Sequence, residues 1–479
     1  MQAEIKAGHP DLSRNPLLAG LNRRRFLGGL GAIGAAAFLP GRALAGETAD
    51  VLIVGAGLSG LNAAMILASE GMKVLVVEAD SRPGGRVRTL DDAPGRPEAG
   101  GAEVGPLYAR TRHLVDELGL SLVPRPIVPG GMTIHSDGRL IHPRDWATDS
   151  ANPLPAALRA VPPQSIESAI MAKASLLSDA EAWLSPEAAA RDGAYDALLR
   201  QLGADDAALS FIQPGVGDTL ADVSALWMLR RDQIRSQSAS VGGVDSLTGG
   251  MSRLTDAMAA TLGERVRYGV AIRAISQGPG GIVAEDAEGR RYSAARALVT
   301  VPLPVLKQMR LDPLPAASAV WDMVPYGEAA SFFFPVTAPF WEEDGLPPSL
   351  WSDTLPFRTF LVGNDVGQHL WVYAQKPKAA LLQGHADDEM KETVRRRLVA
   401  ARPSLEGRIT TGAAWSWTAN PLALGTFAGR RPGNLARVQK LLKAPHGRVS
   451  FAGEHSADLS SGIEGALESG ERAAIELLA

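Results

Sequence analysis

The residues best placed to do chemistry form one short run, Gly55-Ala56-Gly57-Leu58-Ser59-Gly60. Glycines at this spacing, between a strand and a helix, make a cradle for phosphate. Gly55 allows a tight turn, Gly57 a close backbone approach and Gly60 close packing of helix on strand, while free N–H groups at the helix start hold the charge. Alone the motif is weak, and its meaning depends on the flanking elements. Before it, Asp50-Val51-Leu52-Ile53-Val54 is an apolar, β-branched run of the kind buried on both faces of a parallel sheet. After it, Leu61-Asn62-Ala63-Ala64-Met65-Ile66-Leu67-Ala68 is an apolar helix closed by Gly71, and Lys73-Val74-Leu75-Val76-Val77-Glu78 is a second strand. Glu78 stands 23 residues beyond Gly55, where an acid can accept from a ribose hydroxyl. Strand, helix, strand and acid in register predict a Rossmann-like dinucleotide site.

The chain around this unit has 479 residues, 48 Lys+Arg against 52 Asp+Glu and a formal charge of −4, a length for two or three domains. So even a balance excludes a nucleic-acid binder driven by bulk electrostatics. The absence of cysteine excludes disulfides, thiolate catalysis, Cys-ligated metal and a flavin tethered through a cysteinyl thioether. The 8 histidines are scattered without ligand spacing, so no metal site is expected. Neither Ser59 nor Ser331 has a His–Asp arrangement near it, which leaves a hydrolase triad unsupported.

The N-terminal segment has the pattern of an export signal. Arg23-Arg24-Arg25-Phe26-Leu27 precedes an uncharged Gly/Ala-rich run over 28–39 and then Ala43-Leu44-Ala45, a small-x-small cleavage site. The paired arginines point to the twin-arginine export machinery, with residues 1–45 as signal peptide and a periplasmic or secreted product. The alternative is an uncleaved anchor. The twin-arginine route carries folded proteins, so the segment also favours a cofactor loaded before export.

Further motifs decide which dinucleotide is meant. Gly84-Gly85-Arg86-Val87-Arg88-Thr89 follows Glu78 closely, and Gly100-Gly101-Ala102-Glu103-Val104-Gly105-Pro106 comes a little later. Near the other end stand Val449-Ser450-Phe451-Ala452-Gly453-Glu454-His455 and Ser461-Gly462-Ile463-Glu464-Gly465-Ala466, the latter opening a helix over 467–478. Between them lie Gly249-Gly250-Met251, the run 266–272 and the run 297–302. In these motifs and their order, residues 48–479 resemble the flavin-containing amine oxidase superfamily, which includes monoamine, polyamine and L-amino-acid oxidases and nicotine oxidoreductase. The resemblance implies FAD, bound non-covalently. Gly55, Gly57, Ser59, Gly60, Glu78, Gly85, Arg86, Gly101, Ala102, Ile272, Gly453, Glu454 and Ile463 are then the cofactor-binding residues. Ile272 would meet adenine through its backbone and Glu454 would bind the ribityl chain. The start of the last helix, at Ile463, would stabilise negative charge on the reduced ring.

The fold class so implied is α/β. A discontinuous Rossmann-like FAD-binding domain of the glutathione-reductase kind (48–130, 240–310 and 435–479) carries an inserted α+β substrate-binding domain (131–239 and 311–434). Within the insert, helical stretches are expected over 166–177 and 188–202 and strands over 330–336 and 370–374. The stretches 122–129 and 152–163 are expected to be loops. The reactive flavin edge should face a cavity of the inserted domain.

The chemistry implied is hydride transfer from the carbon beside an amine nitrogen to flavin N5, giving an imine. An apolar cavity favours the neutral amine, and aromatic faces can hold the nitrogen. In Trp415-Ser416-Trp417-Thr418-Ala419-Asn420-Pro421-Leu422-Ala423-Leu424-Gly425-Thr426-Phe427, similar to a stretch lining the flavin face in the family, Phe427 is the expected wall of the amine site. Trp417 is the expected packer against the ring; the alternative is two core aromatics. Four residues after Gly327 and nine before Phe340-Trp341, many members keep a lysine that holds a water beside N5; here the residue is Ser331. That change turns the expectation from oxygen towards another acceptor, such as a periplasmic cytochrome or a quinone.

Two further departures concern substrate. Tyr108 replaces an arginine that grips the α-carboxylate in L-amino-acid oxidases, so a free α-amino acid is a poor candidate. Glu103 occupies a slot that is aromatic in monoamine oxidases. Facing the cavity it would attract a second cationic group, as in a diamine; facing outward it is a solvated acid. The leading expectation is an exported FAD-dependent amine oxidase or dehydrogenase acting on a small amine, with homodimerisation left open. An FAD-dependent desaturase of an apolar substrate and an electron-transfer flavoprotein without its own substrate are the alternatives.

Overall fold

The structure is a computed structural model that describes residues 49–125, 131–174, 177–179, 181–364, 366–375, 387–433 and 435–479. The export signal over 1–45 lies outside the described residues. A first sheet has β1 (Ala49–Val54) at its centre, with β2 (Val74–Val77) on one side. On the other side β5 (Arg291–Val299) pairs with β1, then come β4 (Gly281–Asp286) and β3 (Ile272–Gly278). Val266–Arg267 extends the sheet beyond β2, Arg310–Asp312 lies beyond β3, and β10 (Val449–Phe451) pairs with β5.

β1 runs parallel to both neighbours, and its unbroken apolar run has a reason. Val51 and Ile53 face a core shared with α1 (Leu58–Ser69), α4 (Ser252–Leu262) and α7 (Gly462–Leu478). Leu52 and Val54 face a second core with Val299, Leu303 and Phe451. Each fully buried aliphatic side chain contributes about 1.5–3 kcal/mol, so a polar residue on either face would be expensive.

The second sheet runs β9 (Ala413–Ser416), β6 (Ala329–Pro335), β8 (Gln368–Gln375), β7 (Arg358–Gly363), then Ser349–Ser352, Met132–Ser136 and Arg139–Ile141. Ala330, Phe332 and Phe334 of β6 pack with Val394 and Leu398 of α5 (Asp388–Ala401), which leaves Ser331 on the opposite face. Short helices over 166–212 and α3 (Ala225–Val241) pack against Trp351, which stacks on Phe211 at 4.8 Å. Among the described residues no helix is long and apolar enough to cross a membrane.

The strands expected in the insert are present, each extended by one or two residues at its ends or shifted by one. The helical stretches are broken: Ile166–Met171 ends early, and 188–202 divides into Pro186–Ala189 and Tyr195–Gln201. Gly193 causes the second break, because its carbonyl accepts from Ala225 N (2.8 Å) outside any helix. The expected loop 122–129 begins instead as a strand, Leu122–Pro124, paired with Asp245–Leu247; residues 126–129 lie outside the described set.

Candidate functional site

β1 ends at Gly55, whose φ of +109° is open to glycine alone, and a Cβ there would stand 2.7 Å from Thr300 Oγ1. Thr300 closes the turn by donating to the carbonyls of Val54 (3.0 Å) and Gly55 (3.1 Å). A Cβ on Gly60 would fall 2.0 Å from Gly55 O, so helix and strand touch there. Gly57 differs: nothing lies within 4 Å of its Cβ position. The diglycine loop closes over this turn, with Gly84 N donating to Ala56 O (2.8 Å) and a Cβ on Gly85 coming 3.7 Å from Gly57 Cα. α1 starts with no side-chain cap and no acid in its first turn, leaving its N–H groups for a phosphate.

Glu78 is buried, and its carboxylate accepts from Ala56 N (2.7 Å) and Asp80 N (2.8 Å). Burial pushes its pKa up, and the two backbone donors oppose that. Ile272 opens β3 beside a break in the register between Ile272 and Ala274, which interrupts the ladder where a base could meet backbone. Gly101 (φ +76°) turns against Val87, with Ala102 half-buried after it.

The C-terminal helix closes the site from the other side. Ser59 Oγ meets Ser469 Oγ at 3.2 Å, Asn62 donates to Leu467 O (2.9 Å), and Gly470 lies on the Ser59 backbone. α7 also begins without a side-chain cap. Ile463 sends its side chain into the first core, so only its backbone is available to a ligand. Sequence reasoning missed two acids here. Glu464 accepts from the backbone of Arg110 (3.0 Å) and Thr111 (3.1 Å), and Glu468 from Asp458, Leu459 and Ser460 N–H groups. Glu464 thereby holds the start of the helix at Ala109 and Glu468 the loop before α7, roles set by tertiary contacts and loop geometry that leave no pattern in the sequence.

Gly453 (φ +142°) leads into Glu454, which is engaged at both oxygens, with Arg86 Nη2 (3.2 Å) and Ala428 N (2.8 Å). Arg86 also donates to Thr426 O (2.7 Å) and lies over Tyr326 at 5.2 Å. Tyr326 Oη in turn meets His455 Nδ1 at 3.1 Å. Burial drives the tyrosine pKa up to about 12 and the histidine pKa down to about 3, the latter helped by Arg86 and Arg430. The pair Arg86–Glu454 therefore braces both flanks of Phe427, a residue 40% exposed between half-buried Thr426 and buried Ala428. Trp417 is buried, donates to Ala99 O (2.8 Å) and meets Trp415 edge-on at 5.2 Å. Ser331 Oγ accepts from Trp371 Nε1 at 3.1 Å.

These residues converge into one region, and they fit FAD. The two glycine turns leave room at Gly57, two uncapped helix starts supply N–H donors, and Glu78 keeps acceptor capacity for a ribose. Of the two residues considered for substrate choice, Tyr108 is packed against protein and Glu103 takes the outward of its two alternatives. Tyr108 packs on Gly105 and against the first core, because it begins α2 (Ala109–Glu117) on the side facing α7. Glu103 is half exposed and ion-paired with Arg125, so it is not the buried lone carboxylate that a second ammonium would need.

The family model for flavin containing amine oxidoreductases matches residues 58–478. An L-amino-acid oxidase of Siganus canaliculatus is 28% identical over 457 residues, covering 89% of this chain and 85% of that protein. A flavin-containing amine oxidase of Oncorhynchus mykiss is 27% identical over 473 residues, 90% of this chain and 86% of its own. In fold, the chain is similar to cyclohexylamine oxidase from Brevibacterium oxydans, with a TM-score of 0.75 at 24% identity, covering 90% and 99% of the two chains. It is also similar to putrescine oxidase bound to putrescine, with a TM-score of 0.74 at 23% identity and the same coverage.

Proposed function

The chain belongs to the flavin-containing amine oxidoreductases, and from that premise we propose that it oxidises a small primary, secondary or cyclic amine and passes the electrons to an acceptor other than oxygen. Bound FAD supplies a hydride acceptor at N5 for the carbon beside the amine nitrogen, and the resulting imine is hydrolysed by water.

The observation that carries this reading is Phe427. An aromatic residue 40% exposed, on a segment tied down through Thr426 and Ala428 to the Arg86–Glu454 pair, is a rigid face for an amine nitrogen. Ser331 supports the choice of acceptor. It stands where many family members keep a lysine, and its hydroxyl is engaged by Trp371, so no ammonium charge is offered there to favour oxygen reduction. The N-terminal arginine pair supports export by the twin-arginine machinery, with a cytochrome or quinone outside the cytoplasm as the electron sink.

The test is anaerobic bleaching of the bound flavin across a panel of amines, followed by an air or cytochrome challenge. At least one amine should bleach the flavin, and air should restore the colour slowly. A panel that leaves the flavin oxidised overturns the amine reading. Rapid recolouring in air overturns the choice of acceptor.

A further inference from the structure

Arg358 is a cation without an anion. Its Nη2 donates to Gln375 Oε1 (3.2 Å) and its guanidinium lies 5.7 Å from the Phe360 ring, with no ion pair among the described residues. The carboxylate that acts on it electrostatically, Glu167, is already bound by Arg231 (2.6 Å) and Tyr195 Oη (2.8 Å). A half-buried guanidinium without counter-charge costs stability, and it is best explained by an anion that arrives with a ligand.

The position of Arg358 says which ligand. Across the second sheet, Ser331 of β6 pairs with Tyr373 of β8, and Tyr373 pairs with Arg358 of β7. The three residues form one row on the face away from α5, and two strand spacings separate the ends of the row by ~10 Å. Gln375, two residues on from Tyr373, shares that face and donates to Tyr373 Oη (3.2 Å). Gly215 and Gly217 bring bare backbone against the cluster. A Cβ on Gly215 would stand 3.5 Å from Arg358 Nη1, and one on Gly217 would stand 3.3 Å from Gln375 Nε2 and 3.4 Å from Phe427 Cζ. The Gln375 amide and the tip of Phe427 thus flank the same spot. A small cleft of about 10 Å³ is lined by Arg358, Tyr373, Gln375, Ser352 and Pro214, room for one water or one carboxylate oxygen.

We infer that Arg358, backed by Gln375 and Tyr373, receives the carboxylate of an amine substrate held at Phe427, so that the preferred substrate is an amino acid with its carboxylate several bonds away from its amine. The inference rests on the amine reading of the site. It differs from α-carboxylate recognition beside the reacting carbon, the place where Tyr108 is unsuited.

The test uses FAD-loaded holoenzyme and matched sets: 4-aminobutanoate, 5-aminopentanoate and 6-aminohexanoate, each against its methyl ester and the corresponding alkylamine. Anaerobic flavin reduction should favour one of the acids over its ester by about tenfold or more in kcat/KM, mostly through KM. Arg358→Met should bring that ratio towards one, and Arg358→Lys should restore part of it. Butanoate and pentanoate, which cannot be oxidised, should perturb the flavin spectrum in the parent enzyme and not in Arg358→Met. Amines that bleach the flavin with acid and ester alike would overturn the carboxylate site and leave the amine reading standing. Carboxylates that perturb the spectrum through Arg358, with no amine bleaching it, would support the site and overturn the amine reading. Neither response would overturn both.

Discussion

Glu98 and His455 are both held towards their neutral forms by burial, yet acid acts on them in opposite senses. Burial raises the Glu98 pKa to about 7 from an ordinary 4.5, against hydrogen bonds from Met251 N and Thr89 Oγ1. Between those values the folded chain keeps a proton that the unfolded chain has lost, so this contribution is full below pH 4.5 and falls as the pH rises through 7. His455 is the reverse, its pKa lowered from 6.5 to about 3 by burial and then by Arg86 and Arg430. There the unfolded chain takes up a proton that the folded chain refuses, and stability falls as the pH drops. Glu98→Gln should therefore gain stability relative to the parent as the pH rises from 4.5 to 7, by up to about 3 kcal/mol. His455→Gln should gain as the pH falls over the same interval. Urea unfolding of the holoenzyme across this range measures both, and curves parallel to the parent's would refute the assignment. At this scale the sequence was legible where a residue's role is local. Gly55 and Gly60 make the turn and the close contact expected, and Glu78 directly follows its strand, because turn and strand-end geometry follow from neighbours in the chain. Arg358 was not legible, since its lack of a partner depends on which strands lie beside it.

At the scale of elements, two glycines near the cofactor site answer to different demands. A Cβ on Gly470 would stand 2.3 Å from Ser59 O, where α7 crosses α1. Gly470→Ala should push the middle of α7 away from the start of α1, costing about 1–3 kcal/mol in the apoprotein and weakening FAD retention with it. Nothing occupies the Cβ position of Gly57, and its φ of −76° suits alanine. Gly57→Ala should leave the apoprotein melting temperature unchanged while FAD affinity falls, because the added methyl stands where the pyrophosphate must approach. Thermal unfolding of apoprotein and FAD titration separate the two cases; equal losses in both variants would remove the distinction. The βαβ unit was legible because its hydrophobic period changes with its elements. The helices around 166–202 were less so, since tertiary bonds such as Gly193 O to Ala225 N decide where they break.

For the whole molecule, the chain passes repeatedly between the two sheets. The first takes strands from 49–77, 266–312 and 449–451, and the second from 132–141 and 329–416. Such interlacing leaves neither sheet a continuous stretch of chain on which to survive alone. Loss of far-UV ellipticity and release of flavin should share one thermal midpoint; a separation above about 5 °C would show that the sheets melt separately. The order of motifs made this interleaving legible, whereas the strand Leu122–Pro124 was hidden by the prolines at its end, Pro124 and Pro126.

The clasp between Ser59 and Ser469 spans 410 residues. At 5–20 residues per second, a ribosome makes the first half of that clasp roughly 20–80 s before the second. For that interval the nascent dinucleotide turn has emerged without its lid, and its apolar helix needs shelter from aggregation. Capture of the yellow cofactor with both halves in place is then a late step of biosynthesis, one that waits for residue 469 to be made.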